Sequence, residues 1–248
     1  MKRLYMLGPC SIDSEQHLIA TASHLKGLGV QVLRGGTYKM RTSPDSWQGL
    51  GEEGLRLLTE VASEFKLSTL TEITDLKHLD LYLKHGVDIL QIGSRNMYNY
   101  PLLRELGSCG LPLLLKRHFA SSLDEFLLAA SYLDAAPRVF LCERGIRSHD
   151  TRFRFTFDIN AIAWLKKNSQ RQVIADPSHG TGERDYVIQI AGAAIAAGAD
   201  GIMAETHPMP ELARSDARQT IDLNQAARLV SWCETLAAVL PESPPLSV

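Results

Sequence analysis

Cysteine is scarce and scattered in this chain of 248 residues: Cys10, Cys109, Cys142 and Cys233 share no close spacing. That pattern makes a poor disulfide framework, so a reducing cytoplasm is the expected compartment and stability has to come from a packed core. No apolar run approaches the roughly 18 residues that a membrane-crossing helix needs. The opening Met1-Lys2-Arg3-Leu4-Tyr5-Met6-Leu7-Gly8 has too short an apolar stretch for a secretory signal. Neither sign of charge dominates, with 26 Lys and Arg against 28 Asp and Glu. Without a basic field, neither nucleic acid nor a membrane surface is an expected partner, and any anionic ligand must be held by a local cluster of cations. No GxGxxG opens a helix after a strand, and no linker divides the chain. Only residues 241–248, rich in proline, read as a flexible tail behind a folded unit over residues 1–240.

What the chain does have is regular alternation. Strand-sized apolar runs occur at residues 4–8, 31–35, 68–72, 88–93, 112–116, 138–143, 172–176 and 201–205. Helix-sized amphipathic segments lie between or after them at 14–28, 51–65, 75–85, 122–133, 158–167, 186–197 and 222–240. Ser14, Asp75, Ser122 and Asp158 stand where N-caps belong. Strands that read as nearly continuous apolar runs imply a parallel sheet covered on its outside. Eight such strands are enough to close, and about 250 residues is the usual length of a (β/α)8 barrel. A single-domain (β/α)8 TIM barrel is therefore expected in preference to an open doubly wound sheet.

Barrel enzymes build their sites at the C-terminal ends of the strands. Here every such end is polar: Gly8-Pro9-Cys10-Ser11, Leu33-Arg34-Gly35-Gly36, Thr71-Glu72, Gln91-Ile92-Gly93-Ser94-Arg95-Asn96, Lys116-Arg117, Cys142-Glu143-Arg144-Gly145, Asp176-Pro177-Ser178-His179 and Glu205-Thr206-His207. Alternation along a strand places Arg34 on the face of Val32, Lys116 on that of Leu114, and Glu205 on that of Met203, pointing into the barrel mouth. A lone charge there is costly unless paired or liganded.

Two subsets stand out. Cys10, His179, Glu205 and Asp216 are ligand types for one divalent metal ion, and the mixed S, N and O set suits Mn, Fe or Zn better than Mg or Ca. Arg34, Lys39, Arg41, Arg95, Lys116 and Arg144 are cations that would repel one another around one mouth without an anion between them. Six exceed what one phosphate needs, so two phosphates, or a phosphate and a carboxylate, are expected side by side. His17, His24, His78, His85 and His149 read as surface or helix-face residues, while His118 and His207 stay open.

Taken together, these motifs, with Lys39-Met40-Arg41-Thr42-Ser43, resemble the 3-deoxy-D-arabino-heptulosonate 7-phosphate (DAHP) synthases of the short, barrel-only type. More broadly they resemble the relatives that make 3-deoxy-D-manno-octulosonate 8-phosphate. The resemblance runs from residue 8 to about 219 and implies condensation of phosphoenolpyruvate with erythrose 4-phosphate and water, the first step of the shikimate pathway. It implies metal ligation by Cys10, His179, Glu205 and Asp216. It implies phosphoenolpyruvate on Arg34, Lys39, Arg95, Lys116 and Arg144 with Ser94 near the phosphate, and the sugar phosphate on Arg41 and Thr42. Met40 departs from the family's usual Pro and Ser94 from its usual Ala. The octulosonate enzymes usually carry a Lys-Ala-Asn-Arg-Ser-Ser run in the same loop. The run here follows the heptulosonate pattern, which favours erythrose 4-phosphate over arabinose 5-phosphate.

Lys39 is expected to take part in the chemistry, and Asp176, Glu72 or a metal-held water could supply the base. Two rival readings remain. A Schiff-base aldolase would use Lys116 but leave the metal-type ligands idle. A sugar-phosphate binding module would explain the cations but not Cys10. A homo-oligomer, dimer or tetramer, is expected. Strand one starts within about four residues of Met1 and little follows the last helix, too little for a domain of usual size. The chain alone is thus expected to be insensitive to phenylalanine, tyrosine, tryptophan and prephenate, with any control left to a separate regulatory protein or to gene expression.

Overall fold

The computed structural model describes residues 3–240, so the expected tail at 241–248 lies outside the described residues. Strands and helices alternate along the chain. They run β1 (Leu4–Gly8), α1 (Glu15–Gly27), β2 (Val32–Arg34), α2 (Glu52–Glu64), β3 (Ser68–Ile73), α3 (Leu79–Lys84), β4 (Ile89–Ile92), α4 (Tyr100–Gly107) and β5 (Leu113–Lys116). There follow α5 (Leu123–Ser131), β6 (Val139–Glu143), α6 (Ile159–Asn168), β7 (Gln172–Ala175), α7 (Pro177–Thr181), α8 (Val187–Ala196), β8 (Gly201–Glu205) and α9 (Leu223–Val239). The strands pair in sequence order and all in parallel, and β8 returns to β1 to close the barrel. The chain is a (β/α)8 barrel, as the alternation predicts.

Two apolar layers follow from the two faces of each strand. Met6, Val32, Leu70, Leu114, Phe140, Ile174 and Met203 fill the interior, and Met6 lies in register with both Val32 and Met203. The opposite face, with Leu7, Leu33, Leu90, Leu115, Leu141 and Ile202, packs against the helices in a larger core. Two residues further along their strands, on the inward face, Arg34, Lys116 and Glu205 succeed Val32, Leu114 and Met203. They are 3%, 3% and 0% exposed. At this level the interior turns from hydrocarbon to charge. Gly8 has φ +147°, and a Cβ there would lie 2.0 Å from the Arg34 carbonyl oxygen, so β1 and β2 approach only because position 8 has no side chain.

The caps fall where the sequence puts them. Ser14, Ser122 and Asp158 accept from backbone N–H groups at the starts of α1, α5 and α6, and Ser122 forms a capping box with Glu125. Asp75 caps a 3-10 turn over Leu76–His78 that precedes α3, so the segment read as one helix over 75–85 is a turn followed by a short helix. Two helices escape the sequence reading. Helix α4 is short and starts from Asn99 with Pro101 in its first turn, and α7 is a five-residue turn capped by Asp176. Both are too brief for 3.6-residue periodicity to emerge. Residue 176 consequently lies beyond β7 rather than in it.

The interior layer makes a direct test of packing. Leu114→Ala, at a fully buried inward position, should lower the unfolding free energy by about 2–5 kcal/mol. Leu128→Ala, on the solvent face of α5 at 67% exposure, should stay within about 0.5 kcal/mol. Equilibrium denaturation of the two variants measures both.

Candidate active site

Above the interior layer the strand ends enclose a cavity of about 400 Å³, within the size range of small-ligand sites. Its wall includes Arg34, Lys39, Arg41, Thr42, Glu72, Ser94, Arg95, Lys116, Arg144, His179 and Asp216. The remaining residues singled out from the sequence, Cys10, Asp176 and Glu205, are buried at 2%, 1% and 0% exposure and contact the lining residues directly. All of them thus meet at one end of the barrel. Several stand off the strand ends themselves: Lys39, Arg41 and Thr42 lie in the loop after β2, His179 lies in α7, and Asp216 lies well past β8 in a loop, with φ +51°. Positive φ is tolerated better by Asp than by most residues.

On one side of the cavity the donors converge. The Cys10 thiol donates to Asp216 Oδ2 at 3.1 Å, and single ligand atoms of Cys10, Glu205 and Asp216 all lie within 4.8 Å of one another. His179 Nε2 is 3.6 Å from Glu205 Oε1 and 3.9 Å from Asp216 Oδ2. Its other nitrogen, Nδ1, is 2.8 Å from Asp176 Oδ2, and the Asp176 carboxylate also accepts from the His179 backbone N–H at 3.0 Å. A carboxylate that fixes one imidazole nitrogen and aims the other is a regular companion of metal ligation. Gln219 Nε2 donates to Glu205 Oε2 at 2.7 Å, steadying a second member. Burial pushes the Cys10 thiol well up, with Glu205 adding to the effect and Lys39 opposing it. Burial would raise Asp216 as well, but His179, Lys39 and the Cys10 thiol outweigh it and bring it to about 2. A thiol and two carboxylates facing one another are what a divalent cation relieves. The donor set fits such an ion.

Cations lie directly against these donors. Lys116 Nζ pairs with Asp176 Oδ2 and sits 3.4 Å from His179 Nδ1. Burial would raise Asp176, yet His179 and Lys116 hold it well below the usual carboxylate range. Arg34 donates to the Pro9 carbonyl at 2.9 Å and to Glu205 at 3.3 Å, while Lys39 donates to Cys10 Sγ at 3.2 Å. Arg144 stacks its guanidinium 4.0 Å from the Phe155 ring centroid, and its buried NH1 has no hydrogen-bond partner. Burial lowers the Arg144 pKa. A guanidinium left this way favours an anion in the cavity.

The loop after β2 is tied across the cavity. Arg95 donates to the Met40 carbonyl at 2.8 Å and approaches Thr42 Oγ1 at 3.4 Å. Trp47 donates to Ser11 Oγ at 2.8 Å. Ser94 turns its hydroxyl to the Arg117 carbonyl at 2.9 Å. Glu72 accepts from Gln91 Nε2 at 3.1 Å, and the buried Oε1 of Gln91 has no partner.

Sequence reasoning passed over several wall residues. Arg154 lines the cavity, 3.8 Å from Asp216 Oδ1, and Phe119, Phe155 and Gln91 line it too. Arg154 comes from the long loop after β6, where no strand parity signals its direction; Gln91 stands in the polar end of strand four, but the sequence reading gives it no role. His17, read as a surface residue, and His207, left open, meet at Asp13 behind the β1 and β8 ends. Arg117, next to Lys116, faces away from the mouth, as alternation requires. It pairs with Glu143 at 2.9 Å and Asp158 at 3.0 Å. Glu143 also accepts from the Gly145 N–H at 2.6 Å. Burial pushes Glu143 up, and Arg117 offsets this only in part. Glu143→Gln should cost about 1–3 kcal/mol of unfolding free energy, because buried Arg117 loses one charged partner and keeps Asp158; urea denaturation that shows no destabilisation would reject this bracing role.

Known proteins share both the sequence and the frame that carry this geometry. A family model described as the DAHP synthetase I family matches residues 2–241. The phospho-2-dehydro-3-deoxyheptonate aldolase of Thermotoga maritima is 45% identical over 235 residues, spanning 94% of this chain and 69% of that protein. A 2-dehydro-3-deoxyphosphooctonate aldolase of Methylococcus capsulatus is 30% identical, spanning 96% of this chain and 89% of its own. A crystal structure of the DAHP synthase of Thermotoga maritima superposes with a TM-score of 0.92 at 44% identity, covering 95% of this chain and 69% of that one. The truncated form of 3-deoxy-D-arabino-heptulosonate 7-phosphate synthase from Thermotoga maritima gives 0.88 at 41% identity, covering 95% and 87%. The family model over nearly the whole chain and the 45% identical relative agree: this chain belongs to the DAHP synthetase I family.

Proposed function

We propose that residues 1–240 form the catalytic unit of a DAHP synthase, condensing phosphoenolpyruvate with erythrose 4-phosphate and water to give 3-deoxy-D-arabino-heptulosonate 7-phosphate and phosphate. One observation carries the reading: anion-seeking cations and a Cys10, His179, Glu205 and Asp216 donor set meet in contact around a single small cavity. In this reading the four donors hold one divalent ion, of Mn, Fe or Zn type, whose contribution when bound is to withdraw electron density from the aldehyde carbonyl.

The chain's own residues supply the rest. Arg34, Lys39, Arg95, Lys116 and Arg144 take the carboxylate and phosphate of phosphoenolpyruvate, with Ser94 beside the phosphate. Arg41 and Thr42, on the loop that Arg95 ties down, take the sugar phosphate. Holding both reactants in attack geometry lets C3 of phosphoenolpyruvate reach the aldehyde carbon. Water adds at C2, and phosphate leaves with C–O cleavage. Asp176 is engaged by Lys116 and His179, which suits it to positioning. Glu72 lines the cavity, bonded only through Gln91, and is the better placed of the two to accept a proton. Lys39, against Cys10, places a positive charge beside the donor set where the reactants meet. Lys116 is engaged as an ammonium by Asp176, which argues against the Schiff-base reading, and borohydride with substrate should trap no adduct.

The 45% identity to a heptulosonate enzyme, against 30% to an octulosonate enzyme, supports erythrose 4-phosphate over arabinose 5-phosphate. Among the described residues no helix is long and apolar enough to cross a membrane; the reading places the enzyme in the cytoplasm, as a dimer or tetramer open to control by a separate protein. Light scattering tests the assembly.

Two measurements test the core of the reading. Chelation should abolish turnover and Mn, Fe or Zn should restore it, while Cys10→Ala should lose both metal and activity yet stay folded; full activity in metal-free Cys10→Ala rejects the ligand assignment. Erythrose 4-phosphate should outperform arabinose 5-phosphate. Arg41→Ala should chiefly impair use of the sugar phosphate and Arg144→Ala use of phosphoenolpyruvate, each by roughly 2–4 kcal/mol in kcat/KM. Interchangeable effects of the two variants would remove the assigned subsites.

A further inference from the structure

Behind the cavity, a second group of ligand-type side chains meets where the β1–α1 and β8–α9 loops run side by side. Asp13 follows β1, His17 lies near the start of α1, and His207 follows β8. Asp13 Oδ2 is 3.0 Å from His17 Nδ1 and 3.1 Å from His207 Nε2. One ligand atom from each lies within 4.8 Å of the others, and the two rings meet edge to face. The His207 side chain is 1% exposed, that of Asp13 8% and that of His17 19%, so the group is closed on the barrel side and open to solvent past His17.

The far nitrogen of His207 is held by the backbone. Nδ1 lies 2.7 Å from the Met209 carbonyl oxygen and 3.0 Å from the Met209 nitrogen, whose N–H can donate to it. These two contacts fix the ring so that Nε2 faces Asp13, and the Nδ1–H tautomer, donating to the carbonyl, frees Nε2 to bind an ion. Separations of 3.0 and 3.1 Å are hydrogen-bond distances, and a shift of a few tenths of an ångström brings them to the roughly 3.4 Å between tetrahedral ligands with bonds of about 2.1 Å. An imidazole that gives its other N–H to a backbone carbonyl is the usual companion of ligation. Two imidazoles and one carboxylate on one side of an ion leave its remaining positions to water, a set suited to borderline first-row ions.

We propose that Asp13, His17 and His207 form a second divalent-cation site, separate from the Cys10 donor set, taking Zn²⁺ or a neighbouring first-row ion. An ion there clamps the loop that carries Cys10 to the loop that follows Glu205. The site does not depend on the reaction the cavity performs.

Counting metal tests it. Chelator-stripped protein is loaded with Zn²⁺, dialysed and analysed for bound metal. Wild type should retain about two ions per chain, and Asp13→Asn, His17→Gln and Cys10→Ser about one each. Co²⁺ tells the sites apart, because only the Cys10 site yields a thiolate-to-cobalt charge-transfer band. His17→Gln should keep that band and lose weak ligand-field absorption, while Cys10→Ser should do the reverse. His17 is partly exposed on a helix, and circular dichroism confirms that its variant is folded. A wild type holding a single thiolate-bound ion, or Asp13→Asn and His17→Gln with undiminished metal, would overturn the proposal and leave the three side chains held by protons alone.

Discussion

Buried charge at the mouth of a closed sheet is the constraint on which the rest of this structure depends. Arg34, Lys116, Arg144, Asp176 and Glu205 are each at least about nine-tenths removed from solvent, where an uncompensated ion is expensive. The barrel makes the arrangement tolerable by giving almost every charge an opposite neighbour. Lys116 meets Asp176, Arg34 meets Glu205, and on the outer face Arg117 meets Glu143 and Asp158. Some valences in the cavity wall stay unfilled. Among the described residues, Arg34 and Arg144 each retain a buried N–H without an acceptor, and Gln91 a buried carbonyl without a donor. Unfilled valences of this kind, framed by filled ones, suit an anion beside the guanidinium groups and a hydrogen-bond donor such as a hydroxyl beside Gln91.

The same network divides positioning from reaction. Asp176 makes three ties at once: it caps α7, fixes the His179 ring of that helix and pairs with Lys116 of β5. Its removal from the cavity surface makes it a hub that sets the directions of a cation and an imidazole. Hubs of this type are hard to replace singly, because each partner would be left with its own desolvation uncompensated.

Much of this was legible in the sequence, because a barrel converts linear pattern into spatial pattern with few free choices. Period-2 alternation determines which of Lys116 and Arg117 faces the mouth, and the same rule points Arg34 and Glu205 inward. The polar strand ends therefore mark the rim in the linear pattern itself. What stayed hidden comes from segments without a period. Arg154 arrives from a long loop, and α4 and α7 span too few turns to show a helical stripe. The meeting of Asp13, His17 and His207 needs residues 13 and 207 side by side, which follows only from closing β8 onto β1. Alternation predicts that closure, but it does not prescribe the course of the loops beyond it.

The loop after β2 carries Met40, where the resemblance read from the sequence leads one to expect proline. A proline restrains the chain in every state, including the unfolded one, and stabilises chiefly by shrinking the unfolded ensemble. The bond from Arg95 to the Met40 carbonyl restrains the loop only once β2 and β4 stand side by side across β3. The order of this loop is thus a late product of folding, conditional on the completed barrel. It reads only the backbone at position 40, so many side chains could occupy that position without loosening the loop.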